Sequence, residues 1–239
     1  MKKIFYITLF AAIFTVGALS SCSFNCKKGS GNITTDTRKV EDFSKIKISG
    51  AYKVVLKQDS SLSVQVTADD NLQKYIKTAV SGNTLEIKSK KQLCSTGDIT
   101  VIIGLRQLQD ISASGSVKVS TDGKLVAQNL DISVSGSGEV FLDVNAANVH
   151  TQGSGSSAFT FKGQATSHTV DLSGSGSVDA LDFVVGKYDI STSGSSDCKI
   201  NVLDVLLVKT SGSSEIQYRG NPGTVKNDES GSSTIKKID

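Results

Sequence analysis

The chain has 239 residues, 38% of them hydrophobic and 21% charged, with a net charge of +3. Lys2 and Lys3 sit in an N-terminal leader, and removing them leaves about +1. Arginine occurs only at Arg38, Arg106 and Arg219, so the chain lacks the basic footprint of a nucleic-acid binder.

The length holds one large domain or two small ones. There is a single proline, Pro222, no tryptophan and no long pattern of helical period, which favours pairable strands.

Met1-Lys2-Lys3 is a basic start, and Ile4 to Val16 is an apolar run too short for a membrane-spanning helix. Leu19-Ser20-Ser21-Cys22 follows and resembles a bacterial lipobox. On that resemblance Cys22 is the lipidated residue, and the partner is a membrane held through an N-terminal lipid anchor. An ordinary signal peptide with a chance cysteine is the alternative. No Asp follows Cys22, so the resemblance implies an outer-membrane destination, with the periplasmic or outward face undecided. Asn25 to Thr37 is polar and reads as a tether, entering a first strand near Ile33.

Residues 40–105 are strand-like but irregular. Ile46, Ile48, Gly50, Val54 and Leu56 alternate with polar residues, and Leu62 to Thr67 alternates too. Asp69 to Ile76 reads as one short helical turn capped by an Asp. Ser81-Gly82-Asn83 predicts a hairpin turn. Ile99 to Ile103 does not alternate and predicts a fully buried strand.

From residue 108 the sequence repeats Ser-Gly-Ser. The central glycines are read as Gly115, Gly136, Gly155, Gly176, Gly194, Gly212 and Gly231, with steps of 21, 19, 21, 18, 18 and 19 residues. Four residues after each comes Val119, Val140, Phe159, Ala180, Cys198, Ile216 or Ile235. All are apolar, and the opposite parity is polar. A period near 19 with strand alternation on both sides of a glycine predicts about seven rungs of an all-β parallel solenoid. The last rung places Asn227 and Glu229 on the inward parity and ends in Lys236-Lys237, which reads as a polar cap.

The order Arg38-Lys-Val-Glu-Asp-Phe-Ser-Lys-Ile-Lys-Ile-Ser-Gly50, Val54 to Gln58, Asp70-Asn-Leu72, Leu85-Glu-Ile87 and then the Ser-Gly-Ser rungs resembles the head GIN domain family of auto-transporter adhesins, over roughly residues 38–235. The resemblance implies a Bacteroidetes-type exported protein. It also implies a right-handed, single-stranded β-helix of pectate-lyase-like architecture, with a less regular N-terminal β lobe. It carries over no catalytic or binding residue. The expected organisation is a signal peptide at 1–21, a lipidated tether at 22–37, the N-terminal lobe at 38–107 and the rungs at 108–239.

The serine columns admit two readings, a hydroxyl array that binds glycans or small polar residues suited to tight corners. Asp110, Asp131, Asp171 and Asp189 fall five residues before the glycines, with His150 among them. They read as solvated edge charges or as a calcium column that lacks the usual glycine-rich pattern. His150 and His168 occupy different columns with no ligand at metal spacing, so no metal and no cofactor is expected. Cys198 falls in an apolar column and reads as a buried thiol. Cys26 and Cys94 are then the candidate disulfide pair, the alternative being two free thiols. Phe159 and Phe161 point inward by parity, and Phe141 is the outward aromatic.

No catalytic set stands out. The expected function is a non-enzymatic, membrane-anchored envelope lipoprotein that displays a rigid solenoid for adhesion or binding, with a glycan or protein ligand. The alternatives are a polysaccharide-acting β-helix enzyme and a periplasmic structural or signalling lipoprotein. Fold alone does not choose among them.

Overall fold

The structure is a computed structural model that describes residues 25–239. Cys22 and the leader lie outside the described residues. The described chain is all-β, with one short 3-10 turn at Gln73–Tyr75. Its strands are β1 (Lys27–Lys28), β2 (Ile33–Lys39), β3 (Lys45–Gln58), β4 (Ser63–Asp69), β5 (Ile76–Ser81), β6 (Thr84–Ser89), β7 (Leu93–Cys94) and β8 (Thr100–Leu105). They continue with β9 (Asp110–Thr121), β10 (Leu125–Gly212), β11 (Glu215–Arg219), β12 (Thr224–Gly231) and β13 (Thr234–Lys237).

Most strands form one large sheet that is mixed, which corrects the expectation of purely parallel pairing. β3 pairs in parallel with β6, β8 and β9, and β10 pairs in parallel with β9, β11 and β12. β2 with β4, β4 with β8, and β5 with β6 are antiparallel. For β5 and β6 the reason is connection length. A parallel return needs a dozen or more residues, whereas a two-residue loop forces a hairpin. The Gly82-Asn83 loop joins β5 to β6 in that way, with Ser81 opposite Thr84. The spacing near 19 after residue 108 supplies the longer return.

β10 carries 88 residues. Drawn out straight it would measure roughly 290 Å. It bends back on itself instead. A Cβ placed on Gly155 would lie 2.7 Å from the carbonyl oxygen of Gly136, and one on Gly174 would lie 2.7 Å from that of Gly155. Gly50 begins this column, paired in register with Gly115. Both of its neighbours on the inward parity, Ile48 and Tyr52, are buried. Alternation then sends Val54, Val119, Val140, Phe159, Val178, Cys198 and Ile216 into one continuous core. Each large side chain so buried contributes about 1.5–3 kcal/mol.

Two expectations in the N-terminal part change. Ile102 is 38% exposed, so β8 alternates from Thr100 to Ile103 and is fully buried only from Ile103 to Leu105. The turn at Gln73–Tyr75 has no side-chain cap. Asp69 is used elsewhere. Its carboxylate accepts from Ser95 Oγ (2.7 Å), the Gly31 amide (2.8 Å), and both the amide and hydroxyl of Thr96 (3.1 and 2.8 Å). These bonds, Ser95 first, hold it well below the usual carboxylate range. Asn25 to Thr37, expected as a tether entering a strand near Ile33, supplies β1 and most of β2, which does begin at Ile33. A disulfide joins Cys26 to Cys94 with Cα atoms 5.7 Å apart, beside the β1–β7 pair.

A carboxylate with a lowered pKa adds stability above its unfolded value and loses it as pH falls through the folded one. Limited proteolysis should therefore cut the 25–32 stretch several-fold faster below about pH 4 than at neutral pH. Asp69→Ala should do the same at pH 7 under reducing conditions. Equal cutting rates in wild type and variant would show that Asp69 does not hold the strap.

Candidate functional site

The glycine column builds the most distinctive surface. At each layer from Gly136 to Gly212, the stacked glycine and the serine on either side are exposed, while the residues two before and two after are buried. The chain therefore makes a corner at each glycine. Positive φ at these glycines, +101° at Gly136 and +99° at Gly174, is the left-handed conformation that side chains resist.

The fifth glycine of this column is Gly174, where Gly176 was expected. Gly176 has no positive φ and is buried. The steps become 21, 19, 19, 20, 18 and 19 residues. A slip of two residues keeps strand parity, so the apolar pattern fits either glycine in Ser173-Gly-Ser-Gly-Ser177.

The second glycine has a packing reason. Beneath each corner the residue two before the column meets the residue two after. A Cβ on Gly176 would lie 3.2 Å from Leu172, and one on Gly138 would fall on Val134. One on Gly153 would reach Ser157 and lie 2.8 Å from Leu172. At the Gly136 and Gly174 corners a large side chain, Val134 or Leu172, faces a glycine, as dense packing requires.

Two grooves flank the spine. The first, of about 880 Å³, follows the serines that precede the glycines, and its floor includes Ala113, Val134, Leu172, Thr192 and Thr210. The second, of about 740 Å³, follows the serines after the glycines, with Glu139, Asp197 and Glu215 along it. Ser114 donates to Ile48 O and to Ser49. The hydroxyls of Ser135, Ser154, Ser173, Ser193 and Ser211 have no hydrogen-bond partner among the described residues, so they do not serve to tie down the corners.

The family model described as "Putative auto-transporter adhesin, head GIN domain" matches residues 42–222. The chain belongs to the head GIN domain family. Its solved relatives include a protein from Bacteroides fragilis described as a putative adhesin, 24% identical, with a TM-score of 0.82 over 89% of this chain and 100% of that one. A second, from Parabacteroides distasonis, is described as a putative lipid binding protein, 22% identical, with a TM-score of 0.75 over 89% and 99%. A third, from Parabacteroides merdae and also described as a putative adhesin, is 19% identical with a TM-score of 0.66 over 89% and 99%. At these identities the likeness extends to the fold. Among proteins with curated descriptions, none matches the chain.

In this head GIN domain the acidic column is rearranged. With Gly174 in the spine, Asp171 moves to three residues before it. His150 then lies between two carboxylates, Nε2 at 3.0 Å from Asp171 and Nδ1 at 3.4 Å from Asp131. The column read from the sequence had already set His150 between these two aspartates, and they do meet, although Asp171 comes from three rather than five residues before its glycine. No group of three or more His, Cys, Asp or Glu converges as a metal site among the described residues.

His168 moves inward, from the expected column eight before the glycine to the one six before. It is fully buried, shares a hydrogen bond of 2.9 Å with Thr151 Oγ1, and packs against Phe161, Phe183 and Tyr188. Burial pushes its pKa down to about 3. Cys198 is a buried free thiol that burial pushes up to about 12. Phe159 and Phe161 are buried. Phe141 is 39% exposed and carries the Lys118 ammonium 5.0 Å above its ring, with Lys118 also 2.8 Å from Glu139.

Proposed function

We propose that this chain is a non-enzymatic envelope lipoprotein, anchored through Cys22, whose head GIN domain is a right-handed β-solenoid displayed for adhesion or ligand binding. The carrying observation is the pair of grooves along the glycine spine, the first of which presents the exposed hydroxyls of Ser135, Ser154, Ser173, Ser193 and Ser211. In-register parallel pairing of Gly115 with Gly136, and of Gly212 with Gly231, supports winding into a rod. Eight stacked glycines at about 4.8 Å give it a length of roughly 34 Å. A stiff rod on a lipid anchor holds its side grooves clear of the bilayer. Three acyl chains would hold it firmly, at about 0.8 kcal/mol per buried CH₂. The family description and two of the relatives' descriptions point the same way.

The test is protease accessibility on intact cells, beside fatty-acid labelling of wild type and Cys22→Ser. Labelling that depends on Cys22, with digestion before lysis, is expected. Protection until the outer membrane is opened would overturn the adhesive role and leave a periplasmic structural one. Labelling that survives Cys22→Ser would overturn the anchor.

A further inference from the structure

The first groove differs from a plain stripe of small residues in three ways. Its floor is apolar in the first half, at Ala113, Val134 and Leu172, and carries hydroxyls in the second, at Thr192 and Thr210. Thr210 is only 4% exposed, yet its hydroxyl has no partner, as is also true of Ser157 and Ser196 along the acidic second groove. A buried hydroxyl left unmet costs more than a satisfied one contributes, so its persistence on a groove floor points to something that meets it. The charges along the same groove also balance, with Lys47 and Lys209 against Asp171 and Asp228.

We propose that this groove binds an extended, uncharged chain of pyranose sugars. The inference rests on the adhesive reading above and names its ligand. A pyranose ring has an apolar face of C–H bonds and a polar edge of hydroxyls. Laid lengthwise, its face would rest on Ala113, Val134 and Leu172. Its edge would reach the free hydroxyls of Ser135, Ser154 and Ser173. A sugar hydroxyl both donates and accepts, as each serine does, so either proton arrangement satisfies the pair. Successive layers, about 4.8 Å apart, recur at close to the length of one sugar unit in an extended chain. An extended peptide advances by about 3.3 Å per residue and would drift out of step. An acyl chain would leave the serines and Thr210 without partners. Balanced charge favours a neutral ligand over an acidic polysaccharide.

Calorimetric titration of the full chain, purified in a zwitterionic detergent, with cellohexaose, mannohexaose and maltohexaose tests this. At least one should bind. Ser135→Tyr and Ser154→Tyr fill the groove from exposed positions and should cut affinity at least tenfold while leaving the melting curve unchanged. Thr210→Val keeps the shape, removes the unmet hydroxyl and should weaken binding a few-fold. Ser156→Tyr, in the second groove, should bind as wild type does. If none of the three sugars binds at millimolar concentration, the inference is overturned, although adhesion to a protein ligand would still stand. Binding that survives Ser135→Tyr and Ser154→Tyr, or is lost equally in Ser156→Tyr, overturns the groove as the site while leaving an adhesin that binds sugar elsewhere.

Discussion

Gly174→Val is expected to destabilise the protein by roughly 3–5 kcal/mol, enough to unfold the middle of the stack. Two effects add. Valine resists the left-handed backbone that Gly174 adopts at φ +99°, a strain of about 1–2 kcal/mol or more for a branched side chain. Its Cβ would also press to 2.7 Å on the Gly155 carbonyl oxygen. That oxygen belongs to backbone paired on both sides, so it cannot withdraw as a side chain could. Gly176→Ala, only two residues on, should cost about 1 kcal/mol or less. Gly176 has no positive φ, and the nearest atoms are Leu172 side-chain carbons at 3.2–3.4 Å, which can shift. Denaturant melts of the two variants decide the matter. The reverse order of stability would mean that Gly176, not Gly174, turns the corner.

The second large effect is acid lability through His168. Buried neutral, this histidine has a folded pKa of about 3, against about 6.5 in the unfolded chain. Between those values the unfolded state binds the extra proton, so stability is full above about pH 6.5 and falls as pH drops toward 3. The loss over that window is on the order of 4–5 kcal/mol. His168→Phe should remove most of this slope. It should also lower stability at pH 7 by about 1–3 kcal/mol, because the buried Thr151 hydroxyl loses its partner. Chemical melts at pH 7 and pH 5 read both effects. An unchanged slope in the variant would mean that His168 is not the acid-sensitive group. Asp69 acts below about pH 4, so it does not contaminate the upper part of the window.

Both effects turn on residues that the sequence showed only in part. Alternation around each Ser-Gly-Ser segment was legible, because period-2 burial leaves its mark on every residue. Parity placed Ile46, Ile48 and Gly50 with the later layers, and Gly50 does pair with Gly115. What parity could not resolve was a slip of two, and that slip displaced Gly174, Asp171 and His168 together. The repeat period did put His150 in one column with Asp131 and Asp171, 19 and 21 residues away, but a column of positions does not say that the imidazole meets both carboxylates. Asp69 read as a helix cap because local rules favour that use. Its actual partners, Gly31, Ser95 and Thr96, lie 26 to 38 residues away. The β5–β6 hairpin was legible in Ser81-Gly82-Asn83, whereas the antiparallel pairs β2–β4 and β4–β8 join strands with others between them in the chain, which no local turn signal marks.

From Gly115 onward the stacked glycines stay in register although the chain between them varies from 18 to 21 residues. The surplus must therefore be absorbed away from the spine. The longest step contains Asp122-Gly123-Lys124, which lies between β9 and β10, and Gly123 has open space around it. That step is two residues longer than the usual 19, and the glycines at its ends still pair in register. A foreign epitope or affinity tag grafted into that turn would ride on the side of the molecule without shifting its grooves, which makes this bend a handle for labelling the protein.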